Sequence, residues 1–157
     1  MNEALSLAAK AAEIGEVPVG ALVVLNGEII GEGYNQPISS DDPTAHAEIV
    51  ALRDAAKRVG NYRLPEAELY ITLEPCMMCA GAIIHARIAR VIYGASEPKA
   101  GALESRLNCF SLEHVNHRPA ITAGVLAEEC GQQLSEFFKA RRAAKKRELL
   151  EARSKVS

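Results

Sequence analysis

The chain holds 157 residues, 48% of them hydrophobic and 24% charged, with 11 Gly, 7 Pro, 4 Cys and no Trp. That length fits one compact domain, and ordinary apolar content with mixed charge excludes a chain disordered throughout. The net charge of −2 hides a basic end: residues 139–157 carry eight Lys and Arg against Glu148 and Glu151, which leaves the rest of the chain acidic.

The elements follow in chain order. From Glu3 to Ile14 the residues Ala4, Leu5, Leu7, Ala8, Ala11, Ala12 and Ile14 recur at helical spacing, and Gly15 stops the helix. Val17 to Leu25 is the longest apolar run, broken only by Pro18 and Gly20. It is about half the length of a membrane-crossing helix and is read as a strand. Asn26-Gly27 forms a two-residue turn and Glu28 to Gly33 the returning strand. Gln36 to Pro43 is a loop rich in Pro, Ser and Asp. A helix opens at Asp42-Pro43 or Thr44 and runs to about Val59, closed by Gly60. Leu69 to Leu73 is a short buried strand, Pro75 to about Ala86 a helix, and Arg90 to Ala95 another strand. Ser96 to Pro119 is irregular, with a helical turn near Leu103 to Leu112. Ala120 to Val125 is a last strand, and a long helix from Ala127 dissolves into the basic tail. Strands alternating with helices, opened by a tight hairpin, predict an α/β fold. It is a three-layer α/β/α sandwich on a mixed sheet of about five strands.

An acidic opening, Met1-Asn2-Glu3, and an Arg-poor stretch after it carry no leader pattern, so a cytoplasmic setting is expected. In that setting the four cysteines are thiols rather than disulfides. Cys109 and Cys130 lie in apolar surroundings and are read as small buried hydrophobes. Cys76 and Cys79 form C-x-x-C at the opening of a helix, where i,i+3 spacing turns both sulfurs to one face. A helix N-terminus lowers thiol pKa and disfavours imidazolium, so His46, at the opening of the preceding helix, stays neutral for ligation.

His46, Cys76 and Cys79 make three ligands, the count of a catalytic zinc site, whereas a structural site closes with four. His114, His117, Cys109 or Cys130 remain candidates for a fourth. Two thiolates neutralise the ion and weaken its hold on water, which makes a nearby base useful. Glu48 is that candidate. In a regular helix it diverges from His46 by about 200°. Both reach one metal only if His46 lies in an irregular first turn.

H-x-E at one helix start with P-C-x-x-C at another is the signature of zinc nucleobase deaminases. The resemblance is closer than that superfamily. The segments Ala45-His46-Ala47-Glu48-Ile49, Asn61-Tyr62-Arg63-Leu64 and Thr72-Leu73-Glu74-Pro75-Cys76 resemble the bacterial tRNA-specific adenosine deaminases. So do Met78-Cys79-Ala80-Gly81-Ala82-Ile83, Asn116-His117-Arg118, and Phe137-Phe138 followed by Arg141-Arg142. The resemblance runs from about Ala4 to Arg142 and divides the chain into a zinc deaminase domain, 1–142, and a basic helical tail, 143–157.

It implies a cytidine-deaminase-like fold, a homodimer, and conversion of the wobble adenosine of a tRNA anticodon loop to inosine with release of ammonia. It also implies one Zn²⁺ per subunit on His46, Cys76 and Cys79, with Glu48 as proton shuttle. Asn35 matches a family residue that hydrogen-bonds in the base pocket. Glu97 and Lys99 match a D-x-K stretch beside the target base, and Phe137, Phe138, Arg141 and Arg142 match a last helix that touches the RNA loop. The basic tail then reads as a phosphate-neutralising arm, whereas on charge alone the better reading is a solvated, i,i+4-paired final helix. Three positions depart from the family: Glu97 stands for Asp, Glu104 for a Gly whose positive φ would strain it, and Met1 lies almost at the first helix. Two rivals share the zinc motif. One deaminates a free base or nucleoside; the other is a non-catalytic RNA-binding module closed by a fourth ligand.

Overall fold

In the computed structural model, which describes residues 1–156, five strands and four helices build one layered unit. The order is α1 (Asn2–Glu13), β1 (Gly20–Leu25), β2 (Glu28–Tyr34), α2 (Ala47–Val59), β3 (Glu68–Leu73), α3 (Met77–Ala86), β4 (Arg90–Ala95), β5 (Ala120–Thr122) and α4 (Ala127–Val156). The sheet runs β2-β1-β3-β4-β5. β1 is antiparallel to both β2 and β3, whereas β3, β4 and β5 are parallel. This is the expected three-layer mixed α/β sandwich.

Alternation along the strands divides the core. Ala21, Val23, Leu69, Ile71, Val91 and Tyr93 pack with Ala47, Ala51 and Ala55 of α2 and Ala80, Ile83 and Ala86 of α3. Leu22 packs on the opposite face with Ala4 and Leu7 of α1, flanked by Val24 and Tyr70. α4 shares that second layer, since the Gln133 amide donates to the Leu5 carbonyl at 3.1 Å and Cys130 sits against Gly94. The β1–β2 hairpin turns at Asn26 and Gly27, both at positive φ, as a type I′ turn requires. Small residues let α2 lie close on β2. A Cβ at Gly33 would stand 2.4 Å from the Ala47 carbonyl oxygen and 2.6 Å from the Ala51 nitrogen.

Several expected boundaries move for local reasons. β1 begins at Gly20 because the Val19 N–H donates to the Val17 carbonyl at 2.8 Å, a tight turn around Pro18. α2 begins at Ala47 rather than at residues 42–44, because the Asp42 carboxylate accepts from the Thr44 N–H and hydroxyl at 2.8 and 2.7 Å. That closes a turn, and His46 follows in extended backbone (φ −69°, ψ 153°) as the N-cap. α3 begins at Met77 rather than Pro75, with Cys76 likewise an extended N-cap. The helical turn of the long irregular stretch contracts to a 3₁₀ turn at Cys109–Ser111. β5 ends at Thr122, shortly before Gly124 turns the chain at φ 80°. α4 does not dissolve into a tail: it runs unbroken for 30 residues, and residues 145–156 of it are exposed. Ser157, the end of the expected tail, lies outside the described residues. Glu104 is not at positive φ, so its replacement of a glycine brings no backbone strain; its carboxylate accepts from the Tyr93 hydroxyl at 2.5 Å. Cys109 and Cys130 are buried, as their neighbours predict.

The close seat of α2 on β2 has a measurable consequence. Gly33→Ala is expected to destabilise the protein by about 1–3 kcal/mol, because the new methyl meets helix backbone that has no free direction to move. The midpoint of urea unfolding measures it.

Candidate active site

All of the candidate chemistry lies at one end of the sheet. The C-terminal ends of the parallel strands β3 and β4 open there. β1 enters and β2 leaves at the same end, because both run opposite to β3 or β1. Open α/β sheets gather ligands at this edge. A cavity of about 210 Å³ is lined by Val17 and Val19 before β1, Asn35 after β2, and His46 and Glu48 at the start of α2. Leu73 at the end of β3, Glu74 and Cys76 after it, and Glu97 and Ala100 after β4 complete it.

His46 and Cys76 are both extended N-caps, so each side chain leaves its helix axis and points across the helix mouth. His46 Nδ1 stands 3.6 Å from the Cys76 Sγ and 3.6 Å from the Cys79 Sγ. The three donor atoms all lie within 4.8 Å of one another. A tetrahedral zinc ion with Zn–S of ~2.3 Å and Zn–N of ~2.0–2.1 Å would separate such S and N donors by about 3.6 Å. The residues present therefore fit that metal in donor chemistry and in spacing. Among the described residues no fourth His, Cys, Asp or Glu joins the group. His117 is engaged elsewhere, its Nε2 2.8 Å from the Ile88 carbonyl.

The extended backbone at His46 also resolves the angular problem of H-x-E. Because His46 stands outside the helix and Glu48 inside its first turn, both reach the same space. Glu48 is 4% exposed, and its carboxyl lies beside the Cys79 sulfur. Burial pushes that carboxyl up to about 7, against the opposing pull of its own backbone N–H. The Cys76 thiol is driven to about 4, chiefly by hydrogen bonding from Cys79, with His46 adding to it. The same pairing raises the His46 imidazole.

Asn35 combines two tasks. Its Oδ1 accepts from the Ala47 N–H at 2.8 Å, which satisfies one of the donors left open at the start of α2. The side-chain amide that remains is a donor on the cavity wall. Glu97 also lines the cavity, and its carboxylate accepts from the Lys99 N–H at 2.9 Å. Lys99, Phe137, Phe138, Arg141 and Arg142 are not on that wall. The last four cluster on α4: the two rings meet edge-on at 5.5 Å, and the Arg141 guanidinium lies 5.7 Å from the Phe137 ring.

Two buried carboxylates escaped the sequence reading. Glu16 is 2% exposed and accepts from the Ile38 N–H, the Ser39 N–H and the Ser39 hydroxyl at 3.3, 2.8 and 3.0 Å. Glu74 is equally buried and takes up the segment after β4. An acid next to Val17-Pro18-Val19, and another inside Leu73-Glu74-Pro75, were the available signals: charges set where an apolar residue would be expected.

Comparison with known proteins agrees with this geometry. A family model described as MafB19-like deaminase matches residues 1–142. The chain is 56% identical over 147 residues to a tRNA-specific adenosine deaminase of Haemophilus influenzae, covering 93% of this chain and 85% of the relative. It is 46% identical over 146 residues to a Bacillus subtilis protein of the same name, covering 93% and 91%. A solved structure from work on A-to-I editing by tRNA:A34 deaminases at the wobble position of transfer RNA superposes with a TM-score of 0.84 at 46% identity. That match covers 85% of this chain and 97% of the other. With a paired His-Cys-Cys cluster, a buried carboxyl beside it and similarity along nearly its whole length, the chain belongs to the tRNA-specific adenosine deaminase family.

Proposed function

We propose that this protein hydrolyses the wobble adenosine of a tRNA anticodon loop to inosine and ammonia, with one zinc ion held by His46, Cys76 and Cys79. The observation that carries the reading is the Glu48 carboxyl, buried beside a three-donor metal group on the wall of one cavity. A purely structural metal site has no use for such a group and ordinarily closes with a fourth donor.

Zinc in such a site acts as a Lewis acid and makes water a better nucleophile. Glu48 moves the protons. It takes one from the attacking water, gives it to adenine N1, and so makes C6 more electrophilic. It then takes the remaining proton from the hydroxyl added at C6 and passes it to the C6 amino group, which departs as ammonia. A carboxyl raised to about 7 by burial can hold and release a proton near neutral pH. Asn35 offers its amide to an acceptor on the purine edge, with its orientation fixed by the bond to α2. Leu73, Val17 and Val19 line the same space with apolar surface and keep bulk water from the reacting centre.

The RNA around the target base is met at the cavity wall and beyond it. Glu97 and Lys99 contact the nucleotides beside the flipped base, and Phe137 and Phe138 offer faces for stacking. Arg141 and Arg142 belong to the exposed basic part of α4, which neutralises phosphates. Two copies of the chain associate through the α3 face, where Met77 is 66% exposed and a groove of about 370 Å³ runs between Gly81, Ile84 and Leu112. The division of the chain at residue 142 separates what carries the chemistry from what carries only charge. No helix among the described residues is long and apolar enough to cross a membrane, and tRNA editing is work for the cytoplasm.

The deciding experiment incubates the protein with an anticodon stem-loop bearing a wobble adenosine, beside free adenosine, cytidine and guanine. Inosine in the stem-loop alone is expected; turnover of a free base instead would refute the RNA reading. Cys76→Ala is expected to lose the metal by elemental analysis, together with activity. Glu48→Gln should keep metal and RNA binding yet lower kcat by about 10²–10⁴, read in single-turnover deamination. Reversing charge at Arg141 and Arg142 should weaken stem-loop binding and reduce its salt slope by about two, with metal content unchanged.

A further inference from the structure

Glu74 follows β3 and immediately precedes Pro75-Cys76, yet nothing in the chemistry above uses it. Its carboxylate is buried without a Lys or Arg partner among the described residues. It is instead surrounded by donors from one segment. Oε1 accepts from the Glu97 N–H at 3.1 Å and from the Ser105 hydroxyl. Oε2 accepts from the N–H groups of Leu103, Glu104 and Ser105 at 3.2, 2.9 and 3.0 Å. The adjoining backbone joins in: the Glu74 N–H donates to the Ala95 carbonyl, and the Pro75 carbonyl accepts from Ala102, both at 2.9 Å. Gly101 leaves the room for this, since a Cβ there would stand 2.5 Å from the carboxylate carbon.

A carboxylate has about four lone-pair positions, and five donors occupy them. No capacity remains for a substrate or for a travelling proton, so Glu74 is not a second base. What it does hold is residues 97–105, which have no helix or strand of their own and carry Glu97 and Ala100 onto the cavity wall, with Lys99 between them in the chain.

We propose that Glu74 is a positioning residue, whose carboxylate gathers residues 97–105 into one wall of the cavity and so sets where Glu97, Lys99 and Ala100 meet the substrate. The identity of that substrate rests on the RNA reading above; the anchoring of the segment does not. The same strand end thus fixes two things at once, the metal ligand Cys76 and the wall that faces the nucleotides. The geometry makes affinity for the stem-loop, rather than the chemical step, the quantity that Glu74 controls.

Glu74→Gln keeps the size but replaces one acceptor by a donor that faces N–H groups. Hydrogen exchange is expected to accelerate at the amides of Glu97, Leu103, Glu104 and Ser105, with α2, α3 and the metal content unchanged. KM for the anticodon stem-loop should rise by about tenfold or more while kcat stays within about threefold. Ser105→Ala removes one donor from an exposed residue and leaves the fold intact, so it decides the matter if Glu74→Gln fails to fold. The same shifts, smaller in size, are expected for it. Amides that stay protected in both variants, or a loosened segment with KM unchanged, would overturn the proposal. A fall in kcat at constant KM would overturn it too, by making Glu74 part of the chemistry. If the unaltered protein deaminates no stem-loop, the functional reading fails while exchange at the four amides still decides the anchoring.

Discussion

Two helices begin at nearly the same point in space, and the residue that begins each one is not helical. His46 and Cys76 cap α2 and α3 from extended backbone, which brings an imidazole nitrogen within 3.6 Å of two sulfurs. The positive ends of both helices face that point and favour thiolate over thiol, while hydrogen bonding to Cys76 raises the His46 imidazole. The convergence of the three donor atoms, the direction of Glu48 and the location of the cavity all follow from this meeting. It rests in turn on the parallel pair β3–β4 on one side and the β1–β2 hairpin on the other, since these deliver the chain to the right edge of the sheet.

The loops around that point are held by carboxylates rather than by secondary structure. Glu16 ties the segment after β2 to the end of α1, and Glu74 ties the segment after β4 to the end of β3. Asp42 does the same on a smaller scale, closing the turn that keeps His46 out of the helix. An ionised acceptor suits such work because several backbone N–H groups can converge on it, and bonds to charged groups are each worth roughly 1.5–3 kcal/mol. The cost is a charge kept away from water, which only a full set of donors offsets.

The architecture was legible in the sequence because its signals are local. Helical spacing in α1, the Asn26-Gly27 turn, and the apolar strands at Leu69 and Val91 each declare themselves within a few residues. The His46-Cys76-Cys79 cluster was legible as well, since residue type and spacing define it. What sequence periodicity could not supply was the irregular backbone: the late starts of α2 and α3 depend on an Asp42 side chain and on two extended caps. The tasks of Glu16 and Glu74 depend on partners more than twenty residues away, so no local pattern announces them. The helical character of the basic end was legible too, but not its continuity: nothing local in a run of charge says that the last helix and the tail are one helix, Ala127–Val156.

The bare backbone at Gly31 and Gly33 has one more effect, on register. Between these two residues stands Glu32, whose N–H donates to the Asp54 carboxylate at 3.0 Å while its side chain faces solvent. Sliding β2 by one position would drive that acidic side chain into the α2 backbone, where even a methyl group has no room. The outermost strand is thereby locked along its own length, although only one neighbour pairs with it. Asn35 follows two residues on from Gly33, so the placement of the amide that faces the cavity is decided by two positions that have no side chain at all.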